Sequence, residues 1–310
     1  MFAYADPWRF QANPEVYLLV AFLVGAYVYM VRVIGPQAVA PGEPVVRRRH
    51  IVCFVAAMAL LFFASTWPLH QIGEEYLYSM HMVQHMILSY FMPPLVLLAT
   101  PEWLLRTLIG TGRTYRVLTR MTRPVVAGVV FNAMVIITHI PVVVNNSVQS
   151  APLHYTLHLL LVLAALLMWM PVVGPFPELQ LSYGGKMIYL FAQSVVPVVP
   201  AGWLTFAEGA VYKVYNEPVR VWGMSVTDDQ QFAGAIMKVG GSLYLWGIII
   251  FMWFRRFGAN WKEDATFRRT GEGANGIASV LEPSVADLDS RDWVPRENVP
   301  VTARSAPIRD

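Results

Sequence analysis

Ser79-Met80-His81-Met82-Val83-Gln84-His85-Met86 decides how this chain is to be read. His81 and His85 are four residues apart, so on a helix both imidazoles project from one face. The next residues, Ile87 to Ala99, are almost all apolar. Metal-capable side chains therefore sit at the mouth of a hydrophobic helix. The same spacing recurs in His154 and His158, which open a second apolar stretch.

Working outward, such stretches fill the chain. Of its 310 residues 56% are hydrophobic and 14% charged, against about 25% charged in soluble domains. The pattern predicts an all-α, polytopic membrane protein with seven spans of roughly 20 residues each. The spans run from about Pro14 to Val33, Ile51 to Leu69, Tyr76 to Ala99, Val125 to Val143, Leu153 to Val173, Lys186 to Phe206 and Gln230 to Phe254. Pro93-Pro94 should kink the third and Gly174-Pro175 stop the fifth. Pro197 and Pro200 are tolerable within the sixth if neighbouring helices satisfy the freed backbone groups. Gln71 to Glu75 reads as a short acidic turn, and Thr227 with Gln230 as a capping box. Residues 1–254 form the membrane domain. Residues 255–310, rich in Pro, Ser, Gly and charge, read as a disordered cytoplasmic tail. No cleavable signal is expected. Cys53, the single cysteine, excludes an intrachain disulfide and reads as a buried, inert thiol.

Arginines follow the first, third and seventh spans, at Arg47 to Arg49, Arg106 to Arg123, and Arg255-Arg256. The positive-inside rule makes those links cytoplasmic, with the N-terminus outside and the C-terminus inside. Trp67, Tyr76, Tyr78, Trp203, Tyr212 and Trp222 then fall at the outer interface, and Trp103 and Trp253 at the inner one, as two aromatic belts. His70, His81, His85, His139, His154 and His158 gather at the outer level, leaving only His50 inside. Structural histidines would divide between the leaflets.

Neutral imidazole suits copper, zinc and iron, and thioether sulfur favours cuprous copper. A low-dielectric setting favours the uncharged, ligating imidazole, and polar groups within a membrane mark function. The candidate metal ligands are His81, His85, His139, His154 and His158, with Met82 and Met86 as thioethers and Asp229 as a carboxylate. Plainer roles stand beside these. A membrane histidine often makes an interhelical hydrogen bond, methionine fills gaps, and Asp228 and Asp229 would cap the seventh helix. His70 reads as an interfacial residue and His50 as part of the cytoplasmic anchor.

His81-Met82-Val83-Gln84-His85-Met86 with Pro93-Pro94-Leu95 and Pro101 resembles the seven-helix CtaG-type cytochrome c oxidase assembly proteins. So do Thr138-His139-Ile140-Pro141, the block Leu153-His154 with His158, Trp169 and Pro171, and Asp229-Gln230-Gln231 with Ala233-Gly234 and Ile236-Met237. The likeness covers about Leu18 to Phe254. Leu157 and Lys238-Val239-Gly240 depart from it: members commonly carry a Glu at the first place and a Trp-containing run at the second. The resemblance implies a multi-pass protein of a bacterial cell membrane. It also implies a role in assembling haem-copper oxidase through copper supply, with oxidase subunits and membrane lipids as partners.

Other classes remain open on the residues alone. A haem-binding electron carrier would use facing histidines such as His85 and His158. A copper transporter would need ligands toward the cytoplasm, where only Cys53 and His50 stand. A metal-free scaffold for oxidase subunits needs none. No hydrolase triad, phosphate loop or nucleic-acid motif is present, so neither catalysis nor a nucleic-acid partner is expected.

Overall fold

The computed structural model describes residues 6–216 and 219–270, all helix and connecting segments with no strand among them. The chain divides into two units, Met1–Met252 and Trp253–Asp310. Six helices of the described residues are long and apolar enough to cross a membrane. They are Pro14–Ala38, Arg48–Glu75, Tyr78–Ala99, Ala151–Val173, Tyr183–Thr205 and Val226–Gly258. The fourth expected span is a bent pair, Arg113–Met121 with Pro124–Thr138, turned by 74°. It ends at Thr138 rather than Val143, because Pro141 begins a new helix, Pro141–Gln149, and holds Ile140 extended. His139 occupies the resulting corner.

The third span is the centre of the first unit. Of its apolar window 72% is buried, against 6% for the first span. Its kink is a π-helical turn, Ile87–Phe91, just before Pro93-Pro94. Pro93 has no N–H to donate to the Ser89 carbonyl. The Trp169 indole N–H donates to that oxygen instead, at 3.0 Å, and ties the fifth span to the third. Within the sixth span the helix breaks between Val195 and Val198, at Pro197. The Asn132 amide donates to Gln193 at 2.7 Å, a buried polar link between the fourth and sixth spans.

Several connections differ from expectation. Gln71 to Glu75 is no loose turn. Leu69–Glu75 is helical and mostly buried. Leu69 and Ile72, three apart, turn one apolar edge inward, and Gly73 permits the contact: a Cβ there would lie 2.9 Å from the His81 backbone nitrogen. The seventh span begins at Val226, not Gln230, and its cap is Ser225, whose hydroxyl accepts from the Asp228 amide. Gln230 reaches into the long link instead, accepting from the Val211 and Tyr212 amides and donating to the Tyr212 carbonyl. That link is no surface loop either. Tyr212 and Tyr215 are fully buried with Tyr78, at ring separations of 4.5 and 5.2 Å. Tyr76, Tyr78 and Tyr212 thus belong to the interior rather than to an aromatic belt, whereas Trp203 and Trp222 are exposed.

Cys53 is half-buried rather than buried. His50 caps its own helix, its Nδ1 accepting from the Arg47 amide. The last helix, Gly241–Thr270, continues past Phe254, so the segment expected to be irregular opens as helix. No proline interrupts it before Gly271. In the second unit, Trp253 and Phe257 stack at 5.7 Å. The rest of the expected tail, 271–310, lies outside the described residues.

Candidate metal centre

The two histidine pairs arrive in register. The third and fifth spans start at the same end of the first unit, and their first turns carry His81/His85 and His154/His158. Within each pair the rings are 4.4 and 4.1 Å apart, and across the pairs His81 lies 5.4 Å and His85 5.0 Å from His158. His81, His85 and His158 can each direct one ring nitrogen to a common point. The His85 and His158 Nε2 atoms face each other at 3.2 Å. Two nitrogens on one tetrahedral ion, each ~2.0 Å from it, would stand about 3.3 Å apart. His81 Nδ1 is buried and has no hydrogen-bond partner.

His139 comes from the corner after the fourth span, its ring 6.0 Å from that of His85. Its Nδ1 lies 2.7 Å from the Val135 carbonyl oxygen. A carbonyl only accepts, so Nδ1 carries the hydrogen, and in the neutral ring Nε2 is left as a lone pair. That lone pair faces the Met82 sulfur at 3.4 Å. Two donors without a hydrogen between them is an arrangement that a soft cation satisfies.

The tyrosine link fixes this corner. The Tyr212 hydroxyl donates to the His139 carbonyl at 2.9 Å, and the Tyr215 hydroxyl to the Gly73 carbonyl at 3.1 Å. Burial pushes the Tyr212 phenol up to about 12, so it keeps its hydrogen at physiological pH.

Three expected ligands lie elsewhere. Met86 packs against Gly240 and Gly241 of the seventh span. The Asp229 oxygens accept from the Tyr78 and Ser79 backbone amides at 2.7 and 3.0 Å. Asp229 thus caps the third span, whereas its plainer reading made it a cap of its own helix. His154 directs its Nε2 to Glu74 Oε1, at 2.5 Å, and His70 Nε2 lies 3.3 Å from the same oxygen. Glu74 was not among the expected site residues. The signal was present, since His70 and Glu74 have the i, i+4 spacing of the two histidine pairs.

A family model described as cytochrome c oxidase caa3 assembly factor (Caa3_CtaG) matches residues 25–258. No curated protein and no solved structure matches the chain. The matched stretch runs from within the first span to the end of the seventh, with all seven histidines in it. The chain is a multi-pass membrane protein of the bacterial Caa3_CtaG family of cytochrome c oxidase caa3 assembly factors.

Proposed function

We propose that this assembly factor holds a cuprous ion, as cargo for the oxidase, at His81, His85 and His158 with His139 and Met82 beside them. The observation that carries the proposal is the His139 Nε2 lone pair directed at the Met82 sulfur. A metal-free scaffold would have no need to bring two such donors together in the interior. The arginine-rich links lie at the opposite ends of the spans, which supports an extracytoplasmic position for the cluster. Haem is less well served, because His85 and His158 rings 5.0 Å apart leave no slot for a macrocycle between them. The role is one of binding and handing over, and no residue here is assigned to catalysis.

Cuprous titration of the purified chain against a chromogenic chelator tests this. His85→Ala should abolish high-affinity binding. Met82→Leu, similar in volume, should weaken it while leaving the fold unchanged. In cells, the His81→Ala/His85→Ala variant should yield oxidase poor in copper. Wild-type affinity in all three variants, with normal oxidase copper, would leave only the scaffold.

A further inference from the structure

We propose that His70, Glu74 and His154 form a second metal site, one that takes a divalent ion of borderline softness such as Zn2+ or Cu2+. The three side chains can each offer one ligand atom to a common point, from the second and fifth spans. Two imidazoles and a carboxylate, with no thioether in the set, are a donor set for divalent zinc or copper. The trio thus differs in chemistry from the methionine-flanked cluster beside it. The His154 ring lies 5.6 Å from His81 and 4.1 Å from His158, so the two sites adjoin.

Three details point to an ion rather than to a closed hydrogen-bond network. Glu74 Oε1 and His154 Nε2 are buried and 2.5 Å apart without an aligned hydrogen bond, and an ion held by both would part them to about 3.3 Å. His70 Nε2 stands 3.3 Å from the same oxygen, the tetrahedral edge that ~2.0 Å ligand bonds require. The third is Gln84, which is wholly buried. Its Nε2 lies 3.2 Å from His70 Nδ1, and its Oε1 has no partner. The two ends of a primary amide have nearly the same shape, and the hydrogen-bond network decides between them. Turned over, Gln84 accepts from His70 Nδ1–H, which leaves the Nε2 lone pair for a metal. An outer hydrogen bond to the far ring nitrogen is how ligating histidines are usually oriented.

The surroundings suit a cation arriving from water. The Glu74 side chain is 19% exposed, the one partly open member of the trio. Tyr155 stacks on His70 at 6.2 Å and donates to exposed Glu15 at 2.8 Å, which adds a second carboxylate to the approach. This proposal stands apart from the copper reading, because a chain whose His81, His85 and His158 bound nothing would still present the trio.

Zinc titration of the purified full chain, set beside cuprous titration of the same samples, is the test. One equivalent of Zn2+ should bind to wild type and to His85→Ala. Glu74→Gln, the same shape without the charge, should bind Zn2+ at least about a hundredfold more weakly and keep its cuprous affinity. Gln84→Leu should cost ~10–100-fold in Zn2+ affinity, as loss of an outer partner does. Glu75→Gln is the control and should bind as wild type. The proposal fails if Glu74→Gln retains wild-type zinc affinity, if Glu75→Gln loses as much, or if His85→Ala abolishes zinc binding. Loss of cuprous binding across the set would sink the copper reading alone.

Discussion

Removing the Asp229 carboxylate takes away the acceptor for the Tyr78 and Ser79 backbone amides at the head of the third span, just before His81. Capping groups of this kind contribute ~0.5–2 kcal/mol, so Asp229→Ala should lower thermal stability by about that amount. Cuprous affinity, measured in the folded protein, should stay within a few-fold of wild type. A large loss of affinity without loss of stability would make Asp229 a ligand after all. A one-dimensional reading could not separate these roles. An acid before a helix looks like that helix's cap, and nothing local says that it reaches a helix 150 residues away. The histidine pairs were legible for the opposite reason, since i, i+4 spacing fixes a shared face without any knowledge of tertiary structure. Glu74 escaped because a short charged segment between two spans resembles a solvated turn, and its burial depends on Gly73.

At the scale of elements, Gly73 decides how closely the short helix Leu69–Glu75 sits on the start of the third span. A Cβ at that position would press on the His81 backbone, which cannot rotate aside as a side chain would. Gly73→Ala should therefore cost about 1–3 kcal/mol, the usual penalty for overpacking. It should also shift Glu74 away from His154, which zinc titration of the same variant would register. Unchanged stability and zinc affinity would mean that the short helix tolerates displacement. The kink in the third span shows what sequence does disclose about elements. Pro93-Pro94 announces a bend, but the partner for the freed Ser89 carbonyl, Trp169, is a long-range choice that only packing reveals. Gln230 is similar: its position suggested a cap three residues from Thr227, whereas the long link offered it three backbone groups at once.

At the scale of the whole molecule, the alternation of spans places His70, His81, His139 and His154 at one end, and the arginine-rich links after the first and third spans at the other. With Cys53→Ser as background, Asn146→Cys should react with an impermeant maleimide on intact cells, and Thr114→Cys only after permeabilisation. The reverse pattern would invert the orientation and put both proposed metal sites on the cytoplasmic side. Both positions are exposed, Asn146 in the helix Pro141–Gln149 and Thr114 at the head of Arg113–Met121, so labelling reports sidedness rather than burial. Span count and order were legible because apolar length is a local property. The long link was not, because Tyr212 and Tyr215 look like ordinary interfacial aromatics until their hydroxyls are seen to end on the carbonyls of His139 and Gly73. A four-residue stretch that holds none of the metal donors thus acts as a keystone. It grips one shoulder of the thioether-flanked cluster and one of the carboxylate trio, so a partner that pried this segment loose would slacken both at once.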